Sequence, residues 1–349
     1  MLREHFAKLQ PRCPYCRVVR EQDSALYIGE VAREADGDIR EGVLICSNPL
    51  CQREHPILDG VPVVVTDGPS WAASQLSQVM QREDLTPFAE SMLGDLAGAG
   101  SNFDRDRGNN GIYAETHWGG ADPSYLQLVR AGMELLSAPP TGTWIDVGCS
   151  VGRGTFELAR ATGELTVGLD LNFSMLRIAE GVRGRGRVRY RRRRVGLVFD
   201  SVDEAAPELP RENVSFWCAD AAAIPFATGS FRGAFCLNLL DCVQSPLGLL
   251  VELGRLVVQG GEVALSTPFD WAVGATASSA WMGGHSQRGP QDGSSLLEFR
   301  RILSAECAAG IDTRLLIEAE RDGVPWRLRV NERSVTEYAV YFARLRRKG

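Results

Sequence analysis

The sequence predicts an α/β protein with a parallel sheet, preceded by a small β-rich module. From residue 143 onward, short apolar runs alternate with helical patterns, as in sheets whose parallel strands are joined by helices. Before residue 66, four cysteines lie close together around a hairpin-like stretch, and an Asp59-Gly60 turn precedes a final apolar run. The strand candidates of the larger part are residues 143–147, 165–169, 213–218, 233–237 and 262–266.

The chain of 349 residues is longer than one typical compact domain, which favours a catalytic-sized domain plus smaller parts. We divide it into a module at residues 1–66, a linker and lid at 67–122, and a main domain at 123–349. Within the linker we expect one helix near residues 71–82 and a loose glycine-rich tract at 98–111. A helix follows over 123–136, and the runs 324–330 and 338–342 predict the last antiparallel strands.

Composition and charge set limits on the class of protein. Hydrophobic residues make up 44% and charged residues 23%, as in ordinary globular proteins. The net charge of -6 argues against a chain built mainly to coat nucleic acid. No apolar run approaches the roughly 18 residues of a membrane span, and the first ten residues include several charges. We therefore expect a cytoplasmic protein without a membrane segment.

A glycine-rich turn connects the first strand of the main domain to a helix. Asp146 lies in that strand, and Gly148, Cys149 and Gly152 form the turn, where glycine lets the backbone approach a ligand closely. About twenty residues later a second strand ends in Asp170, and an acid at that position can accept hydrogen bonds from both ribose hydroxyls. Taken alone, this pattern fits a nucleotide-like ligand or merely a tight strand-to-helix turn.

Two later elements complete a recognisable order. The strand at 213–218 is followed by Asp220 and Ala221, and residues 256–265 form a helix-to-strand turn. Together the four elements resemble class I S-adenosylmethionine-dependent methyltransferases, which have a Rossmann-like sheet. The resemblance implies that S-adenosylmethionine is the cofactor. It also implies that the cofactor contacts Asp146, Gly148, Cys149, Gly152, Asp170, Leu171, Asp220, Ala221 and Asn238.

Candidate catalytic residues lie in two places. Asn238 and Asp241 follow the fourth strand, and His117 precedes the first helix of the main domain. Asn238 and Asp241 would face the methyl group, and Asp241 is a candidate base or orienter of the acceptor. Its alternative role is to cap the helix that begins near Ser245. His117 could deprotonate an acceptor near neutral pH, although a lone histidine is more often structural.

The segments around this site resemble a narrower family, the methyltransferase part of the ovothiol synthases. The matching segments are residues 148–153, 156–159, 238–241, 266–271 and 281–284. The resemblance implies methylation of an imidazole nitrogen of a histidine-derived thiol, hence a small-molecule acceptor. Cys242 departs from it, because that family favours arginine there, and no sulfoxide-synthase part is attached. Aromatic side chains suit a planar or cationic acceptor, or they simply pack in the core; the candidates are Tyr113, Trp118, Trp271 and Trp281.

Four of the nine cysteines predict a structural zinc site. Cys13 and Cys16 form one pair and Cys46 and Cys51 another, which supplies the four soft ligands that tetrahedral Zn²⁺ favours. His55 is a less favoured substitute ligand. The surrounding residues resemble a small zinc-binding module fused or bound to several RNA and protein methyltransferases.

This second resemblance keeps a base methyltransferase of rRNA or tRNA open as an alternative, besides methylation of another natural product or of a peptide. Eight arginines crowd residues 183–194 and could grip phosphates, or they could form an exposed insertion.

Overall fold

The structure, a computed structural model, describes residues 1–137, 141–304 and 312–349, so Cys307 lies outside the described residues. The strands form an antiparallel N-terminal sheet, a central sheet of seven strands and a two-stranded hairpin. The predicted α/β class with a separate small β-rich N-terminal region is confirmed. Within the described ranges, no helix is long and apolar enough to cross a membrane.

The N-terminal module is a four-stranded sheet with two short helices. Its elements are α1 (Arg3–Leu9), α2 (Pro14–Arg20), β1 (Leu26–Ala35), β2 (Asp38–Cys46), β3 (Glu54–Leu58) and β4 (Val61–Pro62). The strands pair antiparallel in sequence order. The predicted turn between β3 and β4 forms at Asp59 and Gly60, where φ is +52° and +90°. Such positive angles are typical of two-residue hairpin turns.

The residues after β4 attach the module to the rest of the chain. Val63 forms a parallel bridge with Cys218, and the N–H of Val64 donates to the Cys218 carbonyl at 2.8 Å. An ion pair at 2.9 Å between Arg17 and Glu252 adds a second connection. The module therefore pairs with the backbone of Cys218, whose hydrogen-bonding groups could otherwise pair with a strand of another chain.

Residues 67–122 form three helices where the sequence predicted only one. They are α3 (Gly68–Val79), α4 (Pro87–Ala97) and α5 (Asn102–Trp118). The side chains of Asp67, Thr86 and Ser101 cap their N-termini. The loose tract predicted at 98–111 is wrong from residue 102 onward, because α5 occupies it. A Cβ at Gly111 would collide with the Arg191 carbonyl, so glycine here permits close packing instead of loosening the chain.

The main domain alternates helices and strands around the central sheet. Its elements are α6 (Tyr125–Leu135), β5 (Trp144–Val147), α7 (Arg153–Thr162), β6 (Thr166–Asp170), α8 (Phe173–Arg185), β7 (Arg187–Val195), β8 (Val198–Ala205), β9 (Val214–Cys218), β10 (Phe231–Leu237), α9 (Pro246–Leu256), β11 (Val257–Thr267), α10 (Ser295–Ile302), β12 (Leu315–Asn331) and β13 (Ser334–Arg347). The sheet order is β12-β13-β11-β10-β5-β6-β9. The strands from β11 to β9 are parallel, and β13 and β12 are antiparallel to their neighbours. All five predicted strands and the predicted C-terminal pair are present.

The arginine-rich segment forms the β7–β8 hairpin, and its side chains bind partners within the chain. Arg191 pairs with Glu90 of α4, and Arg193 pairs with Asp104 of α5 at 2.9 Å. Arg189 donates to the carbonyls of residues 83 and 85 at 2.6 and 3.0 Å. The segment therefore fastens the helices of residues 67–122 to the main domain, and it is more than an exposed insertion.

Candidate active site and metal site

The glycine turn after β5 is tightly enclosed. Gly148 and Gly152 have φ values of +80° and +85°, and Gly152 directly precedes α7. A Cβ at Gly152 would lie 2.7 Å from the Ala179 Cβ, and one at Gly148 would lie 2.9 Å from Leu239. Cys149 between them is fully buried. The turn thus presents backbone at the carboxyl end of the sheet, where ligands of such folds bind.

Asp146 is a buried carboxylate with one unused oxygen. It is 1% exposed, and its Oδ2 accepts a hydrogen bond from the Thr155 hydroxyl at 2.8 Å. Its Oδ1 is buried without a hydrogen-bond partner among the described residues. Burial raises the pKa of Asp146 to about 7, although the hydrogen bond from Thr155 acts to lower it. A ligand that donates a hydrogen bond or carries a positive charge would supply the missing partner.

Asp170 connects the glycine turn to the start of α8. Its Oδ2 accepts from the backbone N–H of Ser150 at 2.8 Å, and its Oδ1 accepts from that of Asn172 at 2.9 Å. Burial raises the pKa of Asp170, and these backbone hydrogen bonds oppose the rise. The next residue, Leu171, leaves 46% of its surface exposed. An exposed apolar side chain beside a held carboxylate suits a ligand with a ribose next to a flat ring.

Asp220 and Ala221, two of the predicted cofactor contacts, lie after β9, the neighbour of β6 in the sheet. Asp220 accepts the backbone N–H of Ala222 at 2.8 Å, and Ala221 is almost buried. Trp71 of α3 donates through Nε1 to the Leu171 carbonyl at 3.4 Å. The sequence did not single out Trp71 because α3 lies outside the main domain, and no local pattern shows where a separate helix packs.

Asn238 and Asp241 follow β10 and form a second polar group. Asn238 adopts a φ of +54°; its Oδ1 accepts from the Ser266 hydroxyl at 2.8 Å, and its Nδ2 has no hydrogen-bond partner among the residues that the structure describes. Asp241 is buried, and its Oδ2 accepts the backbone N–H of Asp270 at 2.7 Å, while its Oδ1 likewise has no partner within the described part of the chain. Burial raises the pKa of Asp241 to about 6. The predicted capping role for Asp241 does not hold, since Ser245 caps α9.

The charge of this acid contributes to the raised pKa values of two tyrosines from distant parts of the chain. The pKa of Tyr113 in α5 is raised first by burial, and then by charges that include Cys242, Asp170 and Asp241. The pKa of Tyr338 in β13 is raised by burial, by hydrogen bonding to Asp270 and by the charge of Asp241. Tyr113 was predicted to line the acceptor pocket, whereas Tyr338 was not. Its place depends on the pairing of β13 with β11, which the local sequence does not reveal.

Trp271 and Trp281 stack face to face, with ring centroids 6.0 Å apart and planes 13° apart. Their Nε1 atoms donate to the Ser295 hydroxyl and the Thr276 carbonyl at 3.1 and 3.0 Å. The N–H of Ala272 donates to the Asp241 carbonyl at 3.0 Å, so this aromatic pair is tied to the candidate catalytic acid. Both rings are partly exposed.

His117 and Trp118 pack behind the glycine turn. His117 is 2% exposed and stacks on Tyr125 at 3.7 Å between centroids. Burial, with a smaller effect of Arg153, lowers the pKa of His117 to about 3, so its ring is neutral and weakly basic. Trp118 is also buried and donates to the Val151 carbonyl at 3.0 Å. These contacts favour a packing role, and their predicted contact with an acceptor stays a prediction.

The four N-terminal cysteines converge. Cys13 and Cys16 lie at the start of α2, Cys46 ends β2 and Cys51 follows in a turn, and all four Sγ atoms lie within 4.8 Å of one another. The separations are 3.6 Å for Cys16 to Cys46 and 4.0 Å for Cys13 to Cys51. A tetrahedral site with Zn–S bonds near 2.3 Å requires sulfur separations of about 3.8 Å. The cluster is therefore compatible with zinc, and His55 is outside it.

Comparison with known proteins assigns the central segment to an enzyme class. Residues 145–265 match the family model described as "Methyltransferase domain". This segment includes the glycine turn, Asp170, Asp220 and Asp241. The chain therefore carries a methyltransferase domain, of the kind that uses S-adenosylmethionine. No curated protein sequence matches the chain significantly.

Solved structures with similar folds have low sequence identity to the chain. A [4+2]-cyclase, SpnF, is 15% identical over 64% of this chain and 80% of its own, with a TM-score of 0.40. A methyltransferase from Methanosarcina mazei is 18% identical over 62% and 95%, with a TM-score of 0.39. Phosphoethanolamine N-methyltransferase 2 from Haemonchus contortus is 19% identical over 45% and only 32%, with a TM-score of 0.32. These similarities identify neither a substrate nor a partner for this chain.

Proposed function

We propose that this S-adenosylmethionine-dependent methyltransferase methylates a small molecule, specifically an imidazole nitrogen of a histidine-derived thiol or a similar heteroaromatic nitrogen. The observation that carries the proposal is the buried residue Asp241, whose carboxylate has one oxygen without a partner among the described residues and which is hydrogen-bonded to the backbone on either side of Trp271, a member of the stacked tryptophan pair. An acid next to an aromatic wall suits a planar acceptor that carries a transferable proton or positive charge.

The cofactor would be held by residues that already have the required free groups. Asp146 offers its unpartnered Oδ1 to a donor such as the cofactor ammonium, and Asp170 can accept from ribose hydroxyls with its remaining lone pairs. Leu171 and Asp220 would contact the adenine ring. When bound, the cofactor supplies an electrophilic methyl group on sulfur.

Asp241 would accept or orient the proton of the acceptor ring. With a pKa of about 6 it is largely ionised at neutral pH, yet it is a stronger base than an ordinary aspartate. Imidazole itself titrates near 6.5, so proton exchange between the two groups is nearly balanced. The Nδ2 of Asn238 can donate a hydrogen bond to a ring nitrogen or carboxylate and thereby fix the orientation of the acceptor.

The zinc module would have a structural role. Four cysteine ligands leave no open coordination position for substrate, which is typical of structural zinc. The alternative of an RNA substrate receives little support from the arginine-rich hairpin, because Arg191 and Arg193 are ion-paired within the chain. Its best remaining support is the resemblance of the zinc module to those of RNA methyltransferases.

A methyl-transfer assay tests the substrate class. Purified protein is incubated with labelled S-adenosylmethionine and either a panel of histidine-derived thiols or deproteinised RNA. We expect label in at least one imidazole and none above background in RNA. Label confined to RNA would contradict the proposal, and Asp241→Asn serves as the control for enzymatic transfer.

A further inference from the structure

A large cavity lies between the helices of residues 67–122 and the arginine-rich hairpin. Its volume is about 860 Å³, and it is bounded by residues 81–85, α4, α5, α8 and both strands of the hairpin. This volume is in the range of small-molecule sites. None of the residues predicted to bind the cofactor lines it. The cavity is therefore separate from the methyl-transfer site.

The lining of the cavity carries an excess of positive charge. Seven of the lining residues are arginines and four are acidic. Three of the acids are the close partners of lining arginines: Glu90 binds Arg191, Asp203 binds Arg187 at 2.8 Å and Asp84 binds Arg82 at 2.7 Å. The fourth, Glu83, is shared at 3.6 Å by Arg177 and at 4.0 Å by Arg185.

Three lining arginines have no carboxylate closer than 4.0 Å among the described residues: Arg185, whose side chain is exposed, and the less exposed Arg107 and Arg189. Within the same described ranges, Arg189 donates to two backbone carbonyls. Arg107 is 8% exposed, and its Nε and Nη2 atoms have no hydrogen-bond partner among the described residues. Its nearest acid, Asp104, is 4.0 Å away and already accepts from Arg193 and from the N–H of Gly100. A buried cation in this state lacks the hydrogen bonds that would offset its desolvation.

The ring contacts of Arg107 hold its guanidinium group in place. It lies 3.8 Å above the Phe199 ring and 5.3 Å from that of Phe103, which also lines the cavity. Leu85, Leu93 and Ile178 add apolar surface to the same lining. The cavity thus combines fixed guanidinium groups with an apolar wall, the composition of a site for an organic anion.

We propose that this cavity binds a small organic phosphate, with the phosphate on Arg107 and Arg189 and the organic part against Phe103 and Leu93. A phosphate monoester carries nearly two negative charges at neutral pH, which matches the charge of Arg107 and Arg189, neither of which has a carboxylate closer than 4.0 Å in the part of the chain that the structure describes. The planar guanidinium also forms paired hydrogen bonds with phosphate oxygens. A monocarboxylate would satisfy only half of this charge.

Calorimetric titration with phenyl phosphate as the probe tests the site in the full-length protein. We expect saturable binding, at least tenfold weaker binding of benzoate, and none of benzyl alcohol. Arg107→Met is expected to weaken phenyl phosphate binding at least tenfold. Arg105→Met is the matched control, because Arg105 is an exposed arginine of α5 that does not line the cavity. No binding of phenyl phosphate, or equal binding of benzoate, would overturn the proposal.

A second variant keeps the test independent of folding, because Arg107 is buried. Arg185 lines the cavity with a side chain that is 56% exposed, so Arg185→Gln leaves the core intact. We expect it to weaken phenyl phosphate binding about threefold with an unchanged thermal unfolding midpoint. Unchanged affinity in both Arg107→Met and Arg185→Gln would place the anion elsewhere and refute the site.

Discussion

Asp146 has the features that we expect of a side chain that binds a cofactor. One oxygen accepts a hydrogen bond from Thr155 and the other has no partner among the described residues, in a buried environment that raises the pKa of the carboxyl to about 7. A carboxyl held near its neutral form is costly to ionise until a cation arrives, since burial penalises the charged form. The sequence identified this residue, because a strand followed by a glycine turn fixes its position.

The affinity for S-adenosylmethionine should therefore depend on pH. Because the pKa of Asp146 in the folded protein is raised to about 7, the ionised fraction increases as pH rises from 6 to 7.5. We expect the dissociation constant to fall roughly fivefold to tenfold over this interval, in proportion to that fraction. Calorimetry at several pH values measures this change in the dissociation constant.

Asp146→Asn should weaken S-adenosylmethionine binding by about 1.5–3 kcal/mol and remove the pH dependence. An unchanged pH profile in this variant would exclude the assigned role.

Asp241 is expected to act in the transfer step and not in cofactor binding. Asp241→Asn should lower kcat by roughly 10²–10⁴, the usual range for a lost acid–base group, with cofactor affinity within twofold of wild type. In the wild type, kcat should rise with pH through an apparent pKa near 6, because the carboxyl must be ionised to accept a proton. Steady-state kinetics from pH 5 to 8 measure the loss of kcat in the variant and the pH profile of the wild type. Asp122→Asn, at an exposed ion pair, is the control and should leave kcat and cofactor affinity unchanged.

The residues around Asp241 also show where sequence reasoning stops. Asn238 and Asp241 could be identified because they directly follow a predicted strand. Tyr338 could not, since it is almost one hundred residues further along the chain and reaches the site only through the pairing of β13 with β11. The run at residues 338–342 predicted the strand, but such a run does not tell which strand lies next to it.

At the scale of elements, we expect the N-terminal module to depend on its cysteine cluster for stability. Two short helices and a four-stranded sheet provide a small core, and small domains of this kind usually need a metal or disulfides. The pairing of Cys13-Cys16 with Cys46-Cys51 was predictable from spacing. The attachment of Val63 and Val64 to β9 was not, since a single bridge leaves no pattern in the sequence.

Removal of one ligand should therefore unfold the module. We expect wild-type protein to contain about one zinc per chain, and Cys16→Ser to lose it and to become sensitive to proteolysis within residues 1–66. Metal analysis and limited digestion measure the two effects. Cys242→Ser, at an exposed cysteine outside the cluster, is the matched control and should keep its zinc. A full zinc content in Cys16→Ser would contradict the site.

The main wrong prediction among the elements was a loose tract where helix α5 lies, and this error has a physical cause. Its sequence is poor in apolar residues and contains glycines, which indicate a loop when they are considered alone. In the structure, Gly108 and Gly111 instead allow the hairpin to pass closely, and Arg193 binds Asp104 of the helix. Tertiary contacts with a distant segment outweigh the low helix propensity of α5. A short stretch of sequence does not show which distant segment packs against it.

In the whole molecule, the covering helices and the module pack around a sheet whose carboxyl edge carries the candidate methyl-transfer residues Asp146, Asp170, Asp220 and Asp241. The succession of the central strands along the chain was predictable because four motifs follow one another in a fixed order. The cavity between α5, α8 and the hairpin was not, since it forms from five separate segments of the chain. Sequence motifs therefore indicated the proposed methyl-transfer site, whereas only the assembled molecule revealed the second, positively charged cavity.

The central claim is that S-adenosylmethionine binds at the carboxyl edge of this sheet. Calorimetric titration of S-adenosylmethionine into wild type and Asp170→Ala tests it most directly. Asp170 holds the glycine turn through Ser150 and the start of α8 through Asn172. We predict saturable binding of one cofactor per wild-type chain and no measurable binding to a folded Asp170→Ala variant. Equal affinity of the two proteins would contradict the account.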